Sequence, residues 1–302
     1  MRLSIVIPTR DRPELLRDCL GTIQRQDIAA DSVQVVVVDD GSMQSLEPVV
    51  AGAGGEIPIR CVRQVPGGLN AARNRGIAET SGDAIAFLDD DTLLCPQWAR
   101  TVLETFEASA CAAVAGRVQL GFEDGGAPAW LAGTQREYLA EFDLGTEPLW
   151  LDRGPTPVGA NCAVRRAEFD RVGLFIDGLD RIGSSLVSNG DTEFFRRLRR
   201  RGGRICYEPA AAVIHRVPAE RLTREFFLRR AHAQGVSDAL LAAAAGQDPA
   251  RVTRVAREVW RCGRTGPILI RGLATGRGTM NARQWASYCR GRLGATVTSG
   301  SR

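Results

Sequence analysis

The stretch AIAFLDDDTLL, Ala84 to Leu94, decides the fold. Its first five residues, Ala84 to Leu88, form an unbroken apolar run of strand length, the pattern of a strand buried on both faces. The run ends in three adjacent carboxylates, Asp89, Asp90 and Asp91. Three such charges at a strand end repel one another and require solvent or a cation. Mg²⁺ and Mn²⁺ are hard cations that prefer carboxylate oxygen and complete their shells with substrate phosphates. The triplet therefore points either to a divalent ion held against a nucleotide diphosphate or to a solvated acidic turn. A lone acidic triplet does not separate the two.

Working outward, the same architecture repeats. LSIVI, Leu3 to Ile7, is a second buried-strand run, ended by Pro8. Thr9 or Asp11 is placed to cap the next helix, with Pro13 in its first turn. Leu16, Cys19, Leu20 and Ile23 then fall on one helical face. VQVVVV, Val33 to Val38, is apolar on both faces, as a central parallel strand should be, and ends in Asp39 and Asp40. Strand, helix and strand in this order make a right-handed parallel unit. A short strand around Ile59 to Val62 and a glycine turn running into a helix, Gly67 to Gly82, lead back to the opening stretch. Pro96 starts a helix bearing Val102, Leu103 and Phe106, and Ala110 to Leu120 is a further strand. The alternation predicts an α/β sheet, parallel at least through this half.

The second half is less regular. Residues 121–154 show no clear period and read as a long lid or binding loop. Pro157 to Val164 restores a strand, and the helix after it is stopped by Gly173. Asp191 to Gly203 is a helix capped by Asp191, with Phe194, Phe195 and Leu198 inward. RICY and AAVIH read as two short strands, and the chain beyond Pro218 as helical. This predicts a domain over residues 1–217, split near residue 120 into nucleotide and acceptor halves, and a basic helical extension over 218–302.

Composition narrows the partners. The 302 residues are 44% hydrophobic and 25% charged, ordinary globular values. All 39 basic residues are Arg, so no single Arg stands out and no P-loop lysine exists. Eleven Arg against the single acid Glu258 give residues 251–302 a charge of +10, which leaves −6 on residues 1–250 of the total +4. That basic segment sets Val252, Val255, Val259 and Trp260 among Arg, which suits either a solvated face or peripheral contact with anionic lipid. No nucleic-acid reading motif accompanies the charge. Eight Cys, none in a CxxC pair, read as thiols of a reducing compartment. With no signal-peptide pattern at residues 1–8 and no apolar run of spanning length, a cytoplasmic location is expected.

Carboxylates thus close two separate strands, Asp39/Asp40 and Asp89 to Asp91, and ligands in open α/β sheets bind outside the carboxyl ends of strands. No GxGxxG follows the first strand. In order and spacing, IVIPTRDRPELL, VVVVDDGS, GGLNAARNRGI, FLDDDTLL, GANCAVRRAEFDRVG and GDTEFFRRLRRRG resemble a family-2 inverting glycosyltransferase of the GT-A fold, over about residues 1–217. The resemblance implies a Rossmann-like, mostly parallel sheet flanked by helices, a nucleoside-diphosphate sugar donor with UDP the commoner choice, and Mg²⁺ or Mn²⁺. The acceptor is a glycan, a lipid-linked sugar or a small molecule.

It also implies roles. Thr9, Arg10 and Asp11 begin the nucleotide pocket. Asp39, with Asp40 beside it, accepts from the base, and a carboxylate suits the imide N–H of uracil or thymine. Arg73, helped by Asn70, sits near base and phosphate. Asp91 is the metal ligand, with Asp89 or Asp90 reaching the ribose. Asn161 contacts donor or acceptor sugar, or is a turn-stabilising amide. Asp191 is the general base that takes the acceptor's proton, with Glu193 as a rival and a plain helix cap as the bland alternative. The family's Glu-Asp pair reads Gly190-Asp191 here. His215 is a possible third metal ligand or a structural residue, and His232 is structural. The competing functions are a sugar-phosphate nucleotidyltransferase and a non-catalytic glycosyltransferase-like scaffold.

Overall fold

The computed structural model describes residues 1–123, 126–183, 185–245 and 278–299. The chain packs as two units: residues 1–121, 139–177 and 190–217 form the first, and residues 122–138, 178–189 and 218–302 the second. The second unit thus takes in two segments from within the expected 1–217 domain.

The first unit is built on one mixed sheet. Strands β1 (Leu3–Thr9), β2 (Val33–Asp39), β3 (Ile59–Arg63) and β4 (Ala84–Leu88) are parallel in the order β3-β2-β1-β4. β1 and β4 are buried along their whole length, as their largely apolar sequences suggest. Helices α1 (Pro13–Ile23), α2 (Glu47–Ala51), α3 (Leu69–Ala78) and α4 (Trp98–Ala108) make the connections. α1 buries Leu16, Cys19, Leu20 and Ile23, the face that its spacing predicts. Its cap differs from expectation: the N-cap is Arg12, with no side-chain cap bond, because Thr9 and Asp11 are engaged elsewhere.

Past β4 the sheet turns antiparallel. β5 (Thr92–Leu94), β6 (Ala113–Phe122), β7 (Leu149–Trp150), β8 (Asn161–Arg165) and β9 (Ile205–Val217) complete it, continuing the order as β8-β6-β9-β5, with β7 on β9. RICY and AAVIH are one strand, not two. β9 pairs β7 at Cys206 and Tyr207 and β5 from Val213 to His215, with Pro209 between these two pairings. Burial alternates along β9 and puts Val213, His215 and Val217 inside. Helices α6 (Arg166–Val172) and α7 (Gly190–Arg200) close an aromatic core in which Phe175 lies 5.2 Å from Phe87 and 4.7 Å from Phe194.

In the second unit the irregular stretch contains α5 (Thr134–Tyr138), followed by α8 (Arg224–Ala244) and α9 (Gly278–Ser299). Thr223 caps α8 by accepting from the Phe226 N–H. α8 and α9 approach closely, with Ser287 Oγ donating to the Leu228 carbonyl and Tyr288 Oη to Asp238. His232 Nδ1 lies 3.2 Å from the Ser287 carbonyl, a structural contact. No described helix is long and apolar enough to cross a membrane. The basic segment with Val252, Val255, Val259 and Trp260 lies outside the described residues. The seven described Cys are all free thiols.

Candidate active site

Register assembles the acidic groups. Thr9 ends β1 opposite Asp39 at the end of β2, and β4 runs beside β1 into Asp89. Asp90 is bound through both oxygens: Thr9 Oγ1 donates at 2.7 Å and Arg12 NH1 at 2.9 Å. The same NH1 donates to Asp91 Oδ2 at 3.1 Å. Asp91 Oδ1 lies 3.1 Å from His215 Nε2, because the β5–β9 register sets His215 opposite Thr92. Burial pushes the Asp90 carboxyl up to about 6, with Arg12 pulling it down and Asp91 pushing it up. Burial works against the Arg12 charge, but Asp90 and Asp91 outweigh it and hold the guanidinium protonated.

Asp89, Asp91 and His215 each offer a ligand atom, all within 4.8 Å of one another. His215 is buried, and its Nδ1 has no hydrogen-bond partner. Two carboxylates and an imidazole are a donor set that suits Mn²⁺, which accepts nitrogen more readily than Mg²⁺ does. The residues present therefore fit a divalent ion.

The ends of β1 and β2 are organised by loops. Asp39 Oδ1 accepts from the Ser42 N–H at 2.8 Å, while buried Oδ2 has no hydrogen bond and lies 3.7 Å from Arg63 Nε. Asp11, held at φ +55°, accepts from Met43 N–H and donates its own N–H to Ser42 Oγ, tying the two strand-end loops together. Arg10 is exposed and lies 3.5 Å from Asp11. Asp40 accepts from Gln64 Nε2 and from the Gly67 and Gly68 N–H groups, so its oxygens hold the turn that starts α3.

A second group of contacts leads from α3 to Asp191. Buried Arg73 donates to Asn70 Oδ1 and lies over the Phe175 ring, and Asn70 Nδ2 donates to the Ile176 carbonyl. A Cβ on Gly159 would stand 2.0 Å from Arg73 NH2, and one on Gly190 would stand 2.4 Å from Asn70 Nδ2. A side chain at Gly190 would therefore require Asn70 to move. Asp191 is in the first turn of α7 rather than at a plain cap. Its Oδ2 accepts from Gly159 N–H at 2.8 Å and its Oδ1 from Thr192 N–H at 2.6 Å. Glu193 is buried and paired with Arg197, with Nη2 at 2.8 Å. The two groups meet around β8. The Cys162 thiol, opposite Phe87 in register, is pushed up to about 12 chiefly by burial, and the charges of Arg73, Asp191 and Asp89 all reach it.

Asn161 stands apart. Its Oδ1 accepts from Trp98 Nε1, and its Nδ2 donates to the Arg117 and Ala211 carbonyls, each at 2.9 Å. The amide clamps α4, β6 and β9 together, which favours the structural alternative over sugar contact. Arg12, Ser42, Arg63 and Gly159 were not legible as site residues. Arg12 and Arg63 are two of 39 Arg in a chain without Lys, and nothing in their local sequence separates them from the others.

A parallel-to-antiparallel sheet with acidic strand ends on one crevice is the GT-A glycosyltransferase architecture. The model of Glycosyl transferase family 2 matches residues 4–173, and the chain belongs to that family. It is 28% identical over 242 residues to the succinoglycan biosynthesis protein ExoM of Rhizobium meliloti, covering 78% of this chain and 73% of that protein. It is 40% identical over 114 residues to the validoxylamine A glucosyltransferase of Streptomyces hygroscopicus subsp. jinggangensis, covering 37% of this chain and only 27% of that protein. The solved mannosyltransferase PcManGT of Pyrobaculum calidifontis, in complex with GDP-Man and Mn²⁺, superimposes with a TM-score of 0.62 at 19% identity, covering 99% of this chain and 87% of that chain. Family membership sets the nucleotidyltransferase expectation aside.

Proposed function

We propose that the protein transfers a sugar from a UDP-sugar to an acceptor hydroxyl with inversion, in a divalent-metal-dependent reaction. The observation that carries this reading is the contact chain just described. Asp39, Thr9, Asp90, Asp91 and His215 are linked on one side, and Arg73, Gly159 and Asp191 on the other. The first set reaches β8 through β4, whose last residue Leu88 pairs with Asn161, and the second through Gly159 just before β8.

Asp89, Asp91 and His215 would hold the ion, which when bound offsets the charge growing on the departing diphosphate. Asp39 binds the base: Oδ1 is engaged by Ser42, and Oδ2, buried beside Arg63 without a hydrogen bond, would accept a single N–H donor once the Arg63 side chain gives way. Uracil presents one such donor at its imide, whereas guanine presents two side by side, so the geometry favours UDP. Asp191 acts as general base. The acceptor oxygen bonds to the anomeric carbon, the bond from that carbon to the diphosphate breaks on the opposite face, and the hydroxyl proton passes to an Asp191 oxygen. Gly159 N–H and Thr192 N–H fix the orientation of that carboxylate. Glu193 is engaged by Arg197 and is the weaker base. An acceptor saccharide, free or lipid-linked, is in keeping with the name of the succinoglycan relative.

The test is nucleoside diphosphate release from a panel of UDP-, GDP- and dTDP-sugars with mixed saccharide acceptors, with Mn²⁺ or with EDTA. UDP release that needs Mn²⁺ and is stopped by EDTA is expected. A folded protein that releases no nucleoside diphosphate under any condition would instead be a scaffold.

A further inference from the structure

Arg12 bridges two members of the aspartate triplet. A single nitrogen, NH1, serves Asp90 at 2.9 Å and Asp91 at 3.1 Å. Both carboxylates are almost fully buried, whereas 35% of the Arg12 side chain is exposed. Asp91 is shared with the Asp89–Asp91–His215 group. A guanidinium bonded to Asp91 Oδ2 thus holds part of the charge that a divalent ion needs. Unlike that ion it is tethered, so it competes at all times.

We infer that Arg12 couples metal binding to donor binding. Without nucleotide, Arg12 competes with the ion for Asp91 and keeps metal affinity low. When a diphosphate arrives, it offers the partly exposed Arg12 side chain a second anion, and bidentate phosphate contacts suit Arg. Arg12 then moves from Asp91 to the diphosphate, and Asp91 is released to the ion. By linkage the effect is reciprocal: the ion must raise diphosphate affinity by the same factor. Arg12 is a positioning residue whose function is to disfavour metal loading of the donor-free enzyme. The inference rests on the metal-dependent reading above.

The experiment measures Mn²⁺ affinity from the electron paramagnetic resonance signal of the free ion, with and without UDP, for wild type, Arg12→Met and Arg12→Lys. UDP itself chelates Mn²⁺, so the quantity that matters is the change in coupling. Arg12→Met should bind Mn²⁺ alone about tenfold or more tightly than wild type, within the usual range of coupling between sites. The factor by which UDP improves Mn²⁺ binding should shrink correspondingly. Arg12→Lys, which keeps the charge but not the bidentate fork, should bind Mn²⁺ alone near wild type while UDP improves that binding by a smaller factor. Thermal melts accompany each variant. Arg12→Gln, whose amide still donates to Asp90, replaces Arg12→Met if the latter does not fold. Unchanged or weaker Mn²⁺ binding to the Met and Gln variants, with wild type binding Mn²⁺ normally, overturns the inference and leaves the functional reading intact. A wild type that binds no Mn²⁺ even with UDP overturns both.

Discussion

Replacing Asp191 by Asn separates chemistry from structure. The carboxylate receives two backbone N–H groups, from Gly159 and Thr192, one on each oxygen. An asparagine keeps one acceptor oxygen and presents an NH₂ to the other donor, so one of the two bonds is lost. A hydrogen bond to a charged group is worth about 1.5–3 kcal/mol, and the partly exposed position puts this one near the lower end. The expected cost is about 1.5 kcal/mol, a drop in Tm of roughly 2–3 °C for a chain of this length. Against a stability of about 5–15 kcal/mol, that loss leaves nearly every molecule folded at 25 °C. The chemical effect is larger. Removing a general base costs about 10²–10⁴ in rate, or roughly 3–5 kcal/mol of transition-state stabilisation. Glu193 cannot substitute while it is paired with Arg197. Steady-state UDP release should therefore show kcat down by about two to four orders of magnitude, while UDP affinity measured by calorimetry in Mn²⁺ stays near wild type. A folded Asp191→Asn enzyme that transfers sugar at the original rate refutes the base assignment.

Three other substitutions test other parts of the site. Asp91→Asn should abolish Mn²⁺-dependent tightening of UDP binding, read by calorimetry with and without EDTA, because it removes a ligand that no neighbouring group replaces. Asn161→Ala should lower stability by about 3 kcal/mol or more, since three partners are left in a buried site; urea unfolding measures this, and UDP affinity of the folded protein should be little changed. Gly190→Glu, which installs the family's usual acid, should lower stability by about 1–3 kcal/mol through overpacking against Asn70. An unaltered Tm for that variant would show that the Gly190–Asn70 contact is not limiting.

Much of the parallel half was legible because burial on both faces leaves an apolar run that needs no context. Leu3–Thr9, Val33–Asp39 and Ala84–Leu88 are such runs, and the carboxylates at two of their ends follow directly. The antiparallel half was less so. RICY and AAVIH read as two strands in the sequence, whereas in the structure one strand, β9, passes through Pro209 and changes partner from β7 to β5.

By itself, then, the sequence determined the α/β class, the order of the parallel strands' residues and the acidic groups that end them, since local periodicity dictates these. Only the tertiary structure decided which groups are available for chemistry. It bonded Asp40 to the α3 turn and Asn161 to three elements, left Asp39 Oδ2 without a hydrogen bond, and brought Arg12 and His215 onto Asp91. Those outcomes depend on contacts between residues far apart in the chain, and no local pattern records which partner each side chain meets.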